Sequence, residues 1–268
     1  MDKKLFAGAG ILVFSIIVLA AVSIDETGGI GTERAAIISV DGAITSSGSG
    51  GAFQSQGVTP GGIRDLNERA VEQGASVIIY EINSGGGAVV ASKDVKREID
   101  SVEVPTVCRF RDSAASGAYL AALGCDEIVA DSASITGSIG VRSSYMEYTG
   151  LMEKLGVGYV NITSGEYKDI GSPYKNTSEE EKQILQEKAD IVHRDFVNSV
   201  RSERNLSESE VEEVETGEIF LGAEAQELGL VDTLGGRKTS IQVAENLTES
   251  DLDTSRSRHR AVSTCSRL

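Results

Sequence analysis

Ser116 stands where an apolar run, Val104–Phe110, gives way to a small-residue stretch of helical character that ends near Gly124. A hydroxyl at a strand-to-helix turn can be presented as a nucleophile, and the helix that follows offers free backbone N–H groups and a positive dipole end. The same position is a natural helix cap, a role serine fills often. Three other stretches carry possible chemistry. Glycines 85–87 follow an apolar run and can present N–H groups to an oxyanion, cradle a phosphate, or simply turn the chain. Their spacing matches neither G-x-x-x-x-G-K-[ST] nor G-x-G-x-x-G. Ser134 to Val141 is a small, polar turn whose hydroxyls can bond local backbone. Lys168 lies in a glycine-bounded loop, where a lysine is ordinarily a surface residue.

A serine nucleophile needs a proton acceptor. The chain has two histidines, His193 and His259, so a Ser-His-Asp triad or a histidine zinc site has almost nothing to draw on. His193 lies beside the apolar stripe of a long helix and reads as structural or solvated. A lysine can take the proton only when neutral, which calls for burial and no adjacent free carboxylate. If Lys168 were that lysine, its neighbour Asp169 would have to point away. Three cysteines, Cys108, Cys125 and Cys265, are odd in number and widely spaced, which argues against a disulfide framework or a cysteine metal site. The net charge of −16, from 25 basic and 41 acidic residues, argues against nucleic acid as a partner.

The elements that must position these residues alternate. Apolar strands are expected at 35–40, 75–82, 104–110, 126–130 and 158–162. Helices are expected at 63–73, 88–99, after Ser116, and at 146–155. Alternation of this kind implies βαβ units around a mostly parallel sheet. Thr177 to Glu180 fits a capping box, and Leu185, Ala189, Val192, Phe196 and Val200 form one stripe on the helix it opens. Shorter helices follow at 207–214, 223–228 and 239–246. The order of domains is an N-terminal segment 1–24, a linker 25–34, one α/β domain 35–248, and a tail 249–268 expected to lack structure.

Leu5 to Val22 is free of charge, preceded by lysines and followed by acids. As a helix it would span roughly 27 Å, close to a bilayer core. It reads as a retained membrane anchor with a cytoplasmic N-terminus and the rest of the chain extracytoplasmic, or as a cleaved signal peptide.

Taken together, YEINSGGG (80–87), DSAASGAYLAALGCDEIVADSASITGSIGV (112–141), SGEYKDIGSPYKNTSEEE (164–181) and GEIFLGAEAQELGLVDTLGG (217–236) resemble one family. It is the signal peptide peptidase A family of Ser-Lys serine proteases, with a ClpP/crotonase-like fold of repeated β-β-α and βαβ units. The resemblance covers roughly residues 35–245. It implies Ser116 as nucleophile, Lys168 as general base, Ser138 as the hydroxyl that orients the lysine, and the N–H groups of Gly86 and Gly117 as the oxyanion hole. It implies no metal and no cofactor. It also implies a ring-shaped homo-oligomer with the dyad shared between neighbouring protomers, and remnant signal peptides as substrates. A related protease acting on a stomatin-like membrane protein, and a non-catalytic scaffold of the same fold, are the alternatives. One departure stands out: the family has Pro before the paired glycines, and this chain has Gly85, which loosens the loop.

Overall fold

In the computed structural model, which describes residues 33–47, 57–250, 252–253 and 258–260, the apolar runs form the centre of one sheet. β1 (Glu33–Asp41), β2 (Ala75–Ser84) and β3 (Thr106–Ala115) lie side by side and parallel. On the β3 side the sheet continues through β4 (Glu127–Ala130), β5 (Ile135–Gly137), β6 (Ile219–Leu221) and β7 (Thr233–Leu234). On the β1 side it takes up β8 (Leu252–Asp253) and β9 (Arg258–Arg260). Every strand pair is parallel except β5–β6.

Both faces of this sheet are covered, which is why its strands read as continuous apolar runs. Alternate residues point to opposite faces. Ile38, Ile78, Tyr80, Ile82 and Phe110 pack against α2 (Val89–Asp100), α3 (Gly117–Ala122) and α5 (Glu179–Arg204), with α1 (Pro60–Glu72) completing the layer. Ile37, Val77, Ile79, Val107 and Val129 form a smaller core on the other face, closed by Ala244 of α8 (Arg237–Thr248). Three short helices complete the chain: α4 (Thr149–Leu155), α6 (Glu208–Val214) and α7 (Gly222–Glu227). The buried Tyr80 hydroxyl donates to Asn67 Oδ1 at 2.7 Å, and Asn67 Nδ2 donates to the Glu98 carbonyl at 2.8 Å. This chain of bonds fixes sheet, α1 and α2 to one another while leaving no polar atom of the pair unsatisfied.

β3 changes neighbours along its length. Val107 to Phe110 pair with β4, whereas Ser113 to Ala115 pair with β5. The strand therefore runs five residues beyond the expected end at Phe110. Arg111, Asp112 and Ser113 hid this, because polar residues near a strand end read as a loop. Thr59 caps α1 through the Gly62 N–H, with Pro60 at the first helical position, so the helix also starts earlier than the apolar pattern suggests.

Other expectations need correction. Residues 158–162 form no strand: Val160 and Ile162 are 84% and 93% exposed, and among the described residues no strand pairs with them. Cys108 and Cys125 are joined in a disulfide with Cα atoms 5.7 Å apart. An odd cysteine count did not preclude one bridge. The tail, expected to lack structure, supplies β8 and β9 to the edge beside β1. The expected membrane span at 5–22 lies outside the described residues. Among those described, no helix is long and apolar enough to cross a membrane.

Candidate active site

Ser116 closes β3 and opens α3 with φ 54° and ψ −125°. A non-glycine residue held there costs about 1–3 kcal/mol and persists only where its surroundings over-determine it. Two bonds do so: the Ser116 N–H donates to the Gly137 carbonyl at 2.8 Å, and its carbonyl accepts from Leu120 N–H at 3.0 Å. The side chain makes no capping bond to α3. The helix-cap reading therefore falls away. Instead Ser116 lines a cavity of about 520 Å³, together with Gly85, Ser138, Arg142, His193 and Glu215. A smaller pocket adjoins it, walled by Val89, Leu120, Val141, Val192 and Phe196.

The glycine turn is pressed against the nucleophile. A Cβ on Gly86, whose φ is +94°, would lie 2.6 Å from Gly117 N and 3.1 Å from Ser116 Cβ. No side chain fits there. The Gly86 N–H, expected to face an oxyanion, donates instead to Ser84 Oγ at 3.1 Å. Gly87 is differently placed. Ile44 donates to the Gly86 carbonyl at 3.0 Å and accepts from Ala88 N–H at 2.9 Å. In parallel pairing the residue between those two turns its own N–H the other way. Gly87 N itself lies close to Gly117, where a Cβ would fall 3.1 Å from it. Gly117 is the first residue of α3, so its N–H has no acceptor within the helix.

Ser138 follows Gly137 at the end of β5, and both have positive φ, 51° and 73°. Ser138 N–H donates to the Glu218 carbonyl at 2.7 Å, and Thr136 Oγ1 donates to the Ala114 carbonyl at 2.7 Å. These bonds hold the turn beside the nucleophile, and Ser116 and Ser138 line one cavity. His193, set aside as structural or solvated, lines the same cavity, with Nε2 3.2 Å from the Ile139 carbonyl. Its spacing on the α5 stripe was the signal available: it sits three residues before the buried Phe196.

Lys168 is not among the residues around this cavity. It lies on the exposed segment between α4 and α5, its N–H donating to the Gly165 carbonyl at 3.2 Å. Its neighbour Asp169 is engaged by other side chains. Lys175 Nζ bridges Asp169 Oδ1 at 2.7 Å and Glu181 Oε1 at 2.5 Å, and Asn161 donates to Asp169 Oδ2. The hydrogen bond from Lys175 is the main cause holding both carboxyls below their ordinary range. Glu181 also closes the capping box of α5 with Ser178. Carboxyls with lowered pKa contribute above the unfolded value and lose that contribution as pH falls through the folded one. Amide protection factors across residues 165–176, taken relative to the intrinsic exchange rate at each pH, should thus stay constant from neutral pH to about 5 and fall only below about 4. Loosening that begins above the ordinary carboxylate range would count against this clamp. Among the described residues, no group of three or more His, Cys, Asp or Glu side chains is placed to hold a metal ion.

The sequence pattern of peptidase family S49 matches residues 98–251. The chain is 37% identical over 184 residues to the "Putative protease MJ0651" of Methanocaldococcus jannaschii, covering 68% of this chain and 59% of that protein. It is 35% identical over 202 residues to the "Putative signal peptide peptidase SppA" of Enterococcus faecium, covering 74% of this chain and 59% of that protein. The chain thus spans about three fifths of the length of these relatives. Among solved structures it is similar to a mutant of the 1510-N membrane-bound stomatin-specific protease in complex with a substrate peptide. There the TM-score is 0.55 at 15% identity, over 85% of this chain and 93% of that one. At that identity the likeness concerns the fold alone.

Proposed function

Because the chain belongs to peptidase family S49, we propose that it is a serine endopeptidase whose nucleophile is Ser116 and whose base, Lys168, comes from a neighbouring copy. The observation that carries this is the conformation of Ser116: a strained, uncapped serine lining a cavity, with Gly87 and Gly117 beside it in the adjoining pocket. Ser116 Oγ attacks the peptide carbonyl while the Lys168 amine takes its proton. The oxyanion receives the N–H groups of Gly87 and Gly117, which line one pocket with Ser116, while the Gly86 N–H is engaged by Ser84. The amine leaves with the proton returned by Lys168, and water then cleaves the acyl-enzyme by the same route. Ser138 holds the neutral lysine amine, the orienting role a third group plays in triads.

Delivery from a neighbour is supported by the segment that carries Lys168. It is flanked by exposed apolar residues, including Leu151, Leu155, Val157, Val160 and Ile162, which find no cover among the described residues of one chain. A homo-oligomeric ring would bury them and bring a lysine to each serine. Extracytoplasmic placement behind an anchor at 5–22 is supported by the Cys108–Cys125 disulfide, a bond typical of oxidising compartments. Remnant signal peptides are the favoured substrates over a stomatin-like protein. The relative named for signal peptides is 35% identical, whereas the stomatin-specific protease shares 15%. The scaffold alternative leaves the strain at Ser116 without a purpose.

Labelling of the full chain with a serine-directed phosphonate tests this reading. Wild type should label at Ser116, while Ser116→Ala and Lys168→Ala should not. Equal labelling of all three would refute the dyad. Gly85 tests the loop. A Cβ at that position meets nothing within 4 Å, so Gly85→Pro should fold normally and label somewhat faster, since proline preorganises the turn. Slower labelling with an intact fold would count against that view.

A further inference from the structure

We propose that His193 is a positioning residue for the Ser116–Ser138 pair, acting through the carbonyl of Ile139. The inference rests on the roles just given to those two serines. The turn that joins them is held at three consecutive residues, each by a different element. The Gly137 carbonyl accepts from the Ser116 N–H at 2.8 Å, so the turn touches the nucleophile's own backbone. The Ser138 N–H donates to Glu218, just before β6, at 2.7 Å. The Ile139 carbonyl faces His193 Nε2 at 3.2 Å. A carbonyl only accepts, so Nε2 carries the proton in this contact.

The third anchor matters because of what it restrains. Gly137 and Ser138 both sit at positive φ. Ser138 has a Cβ and resists that conformation, so its neighbours must impose it. Ile139 contributes a fully buried side chain, which fixes its position but not the rotation of its peptide group. The imidazole fixes that rotation. His193 can do so because α5 is itself anchored, with Phe196, Val197 and Val200 buried in the main core and the capping box securing its first turn. The charged groups lining the cavity are Arg142, Asp190 and Glu215. Among the described residues the imidazole is the side chain that bonds the Ile139 carbonyl. A small rotation of that peptide would swing Ser138 relative to Ser116, and misplacements of an ångström are costly for a reacting pair.

The test uses the full chain and two readouts: phosphonate labelling at Ser116 and amide hydrogen exchange across residues 138–141. His193→Ala should label about tenfold more slowly, the scale of a modest misplacement, and should exchange faster at 138–141 but not in β1 or β2. His193→Gln, which can still offer an N–H, should recover most of both. In a Ser138→Ala background, His193→Ala should slow labelling by less than about twofold further, because residues acting as one unit are not additive. A merely structural histidine would instead multiply its effect in full in that background. That result, or wild-type labelling and exchange in His193→Ala, overturns the proposal. If wild type fails to label, the peptidase reading falls. Exchange at 138–141 then still decides whether His193 holds the turn.

Discussion

Ser116→Gly should be inactive and yet more stable than Ser116→Ala. Removal of the hydroxyl ends covalent catalysis, and loss of such a nucleophile costs on the order of 10³-fold or more. The stability difference has a separate origin. At φ 54° and ψ −125° any side chain is strained, and alanine keeps the Cβ that causes it. Glycine adopts this conformation freely, though its unfolded chain has more freedom to lose. Strain relief of about 1–3 kcal/mol exceeds that entropy cost of roughly 0.5–1 kcal/mol. The glycine variant should therefore unfold about 3 °C above the alanine variant. A glycine midpoint at or below that of alanine would mean that Ser116 is not held under strain.

Mixing two dead variants should restore activity. In Ser116→Ala each subunit retains its lysine, and in Lys168→Ala each retains its serine. If the dyad forms between copies, dissociation and reassembly of an equal mixture gives intact serine beside intact lysine at roughly a quarter of the sites. A dyad formed within one subunit would give none. The comparison reads out from near zero, so the expected gain is large. A mixture as inactive as its components, after subunit exchange has been verified by mass, would place the base within the same chain or elsewhere. The separation of Lys168 from the serine cavity makes this the most informative pairing of variants.

Much of this site was legible in the sequence because it depends on local backbone. A serine flanked by small residues, a run of glycines after an apolar strand, and a Thr-Gly-Ser turn each announce a tight chain path. The structure shows such paths at Ser116, Gly86 and Ser138, all with positive φ. What stayed hidden depends on long-range registry. How the glycine turn is held is set by the pairing of Gly87 with Ile44, 43 residues away by the numbering. His193 could not be tied to Ile139 before α5 was docked, since the two are 54 residues apart. The Cys108–Cys125 bridge requires the crossover from β3 through α3 to bring the Cα atoms to 5.7 Å, which spacing alone does not reveal. The stretch 158–162 misled for a different reason. Its apolar residues were read as core, yet they face solvent in one chain.

The change of partner along β3 separates two kinds of selection on a single strand. Val107 to Phe110 lie between β2 and β4, in the packed interior, with Val107 and Phe110 themselves fully buried. Ser113 to Ala115 lie against β5 and lead directly into the nucleophile. A mutational library over this strand should therefore sort into two populations. Changes in the first half should move the unfolding midpoint and leave surviving molecules with ordinary turnover, whereas changes in the second should alter turnover as well as the midpoint, since Ala114 and Ala115 are themselves buried. An engineer seeking a hardier enzyme would diversify the first segment and leave the second untouched.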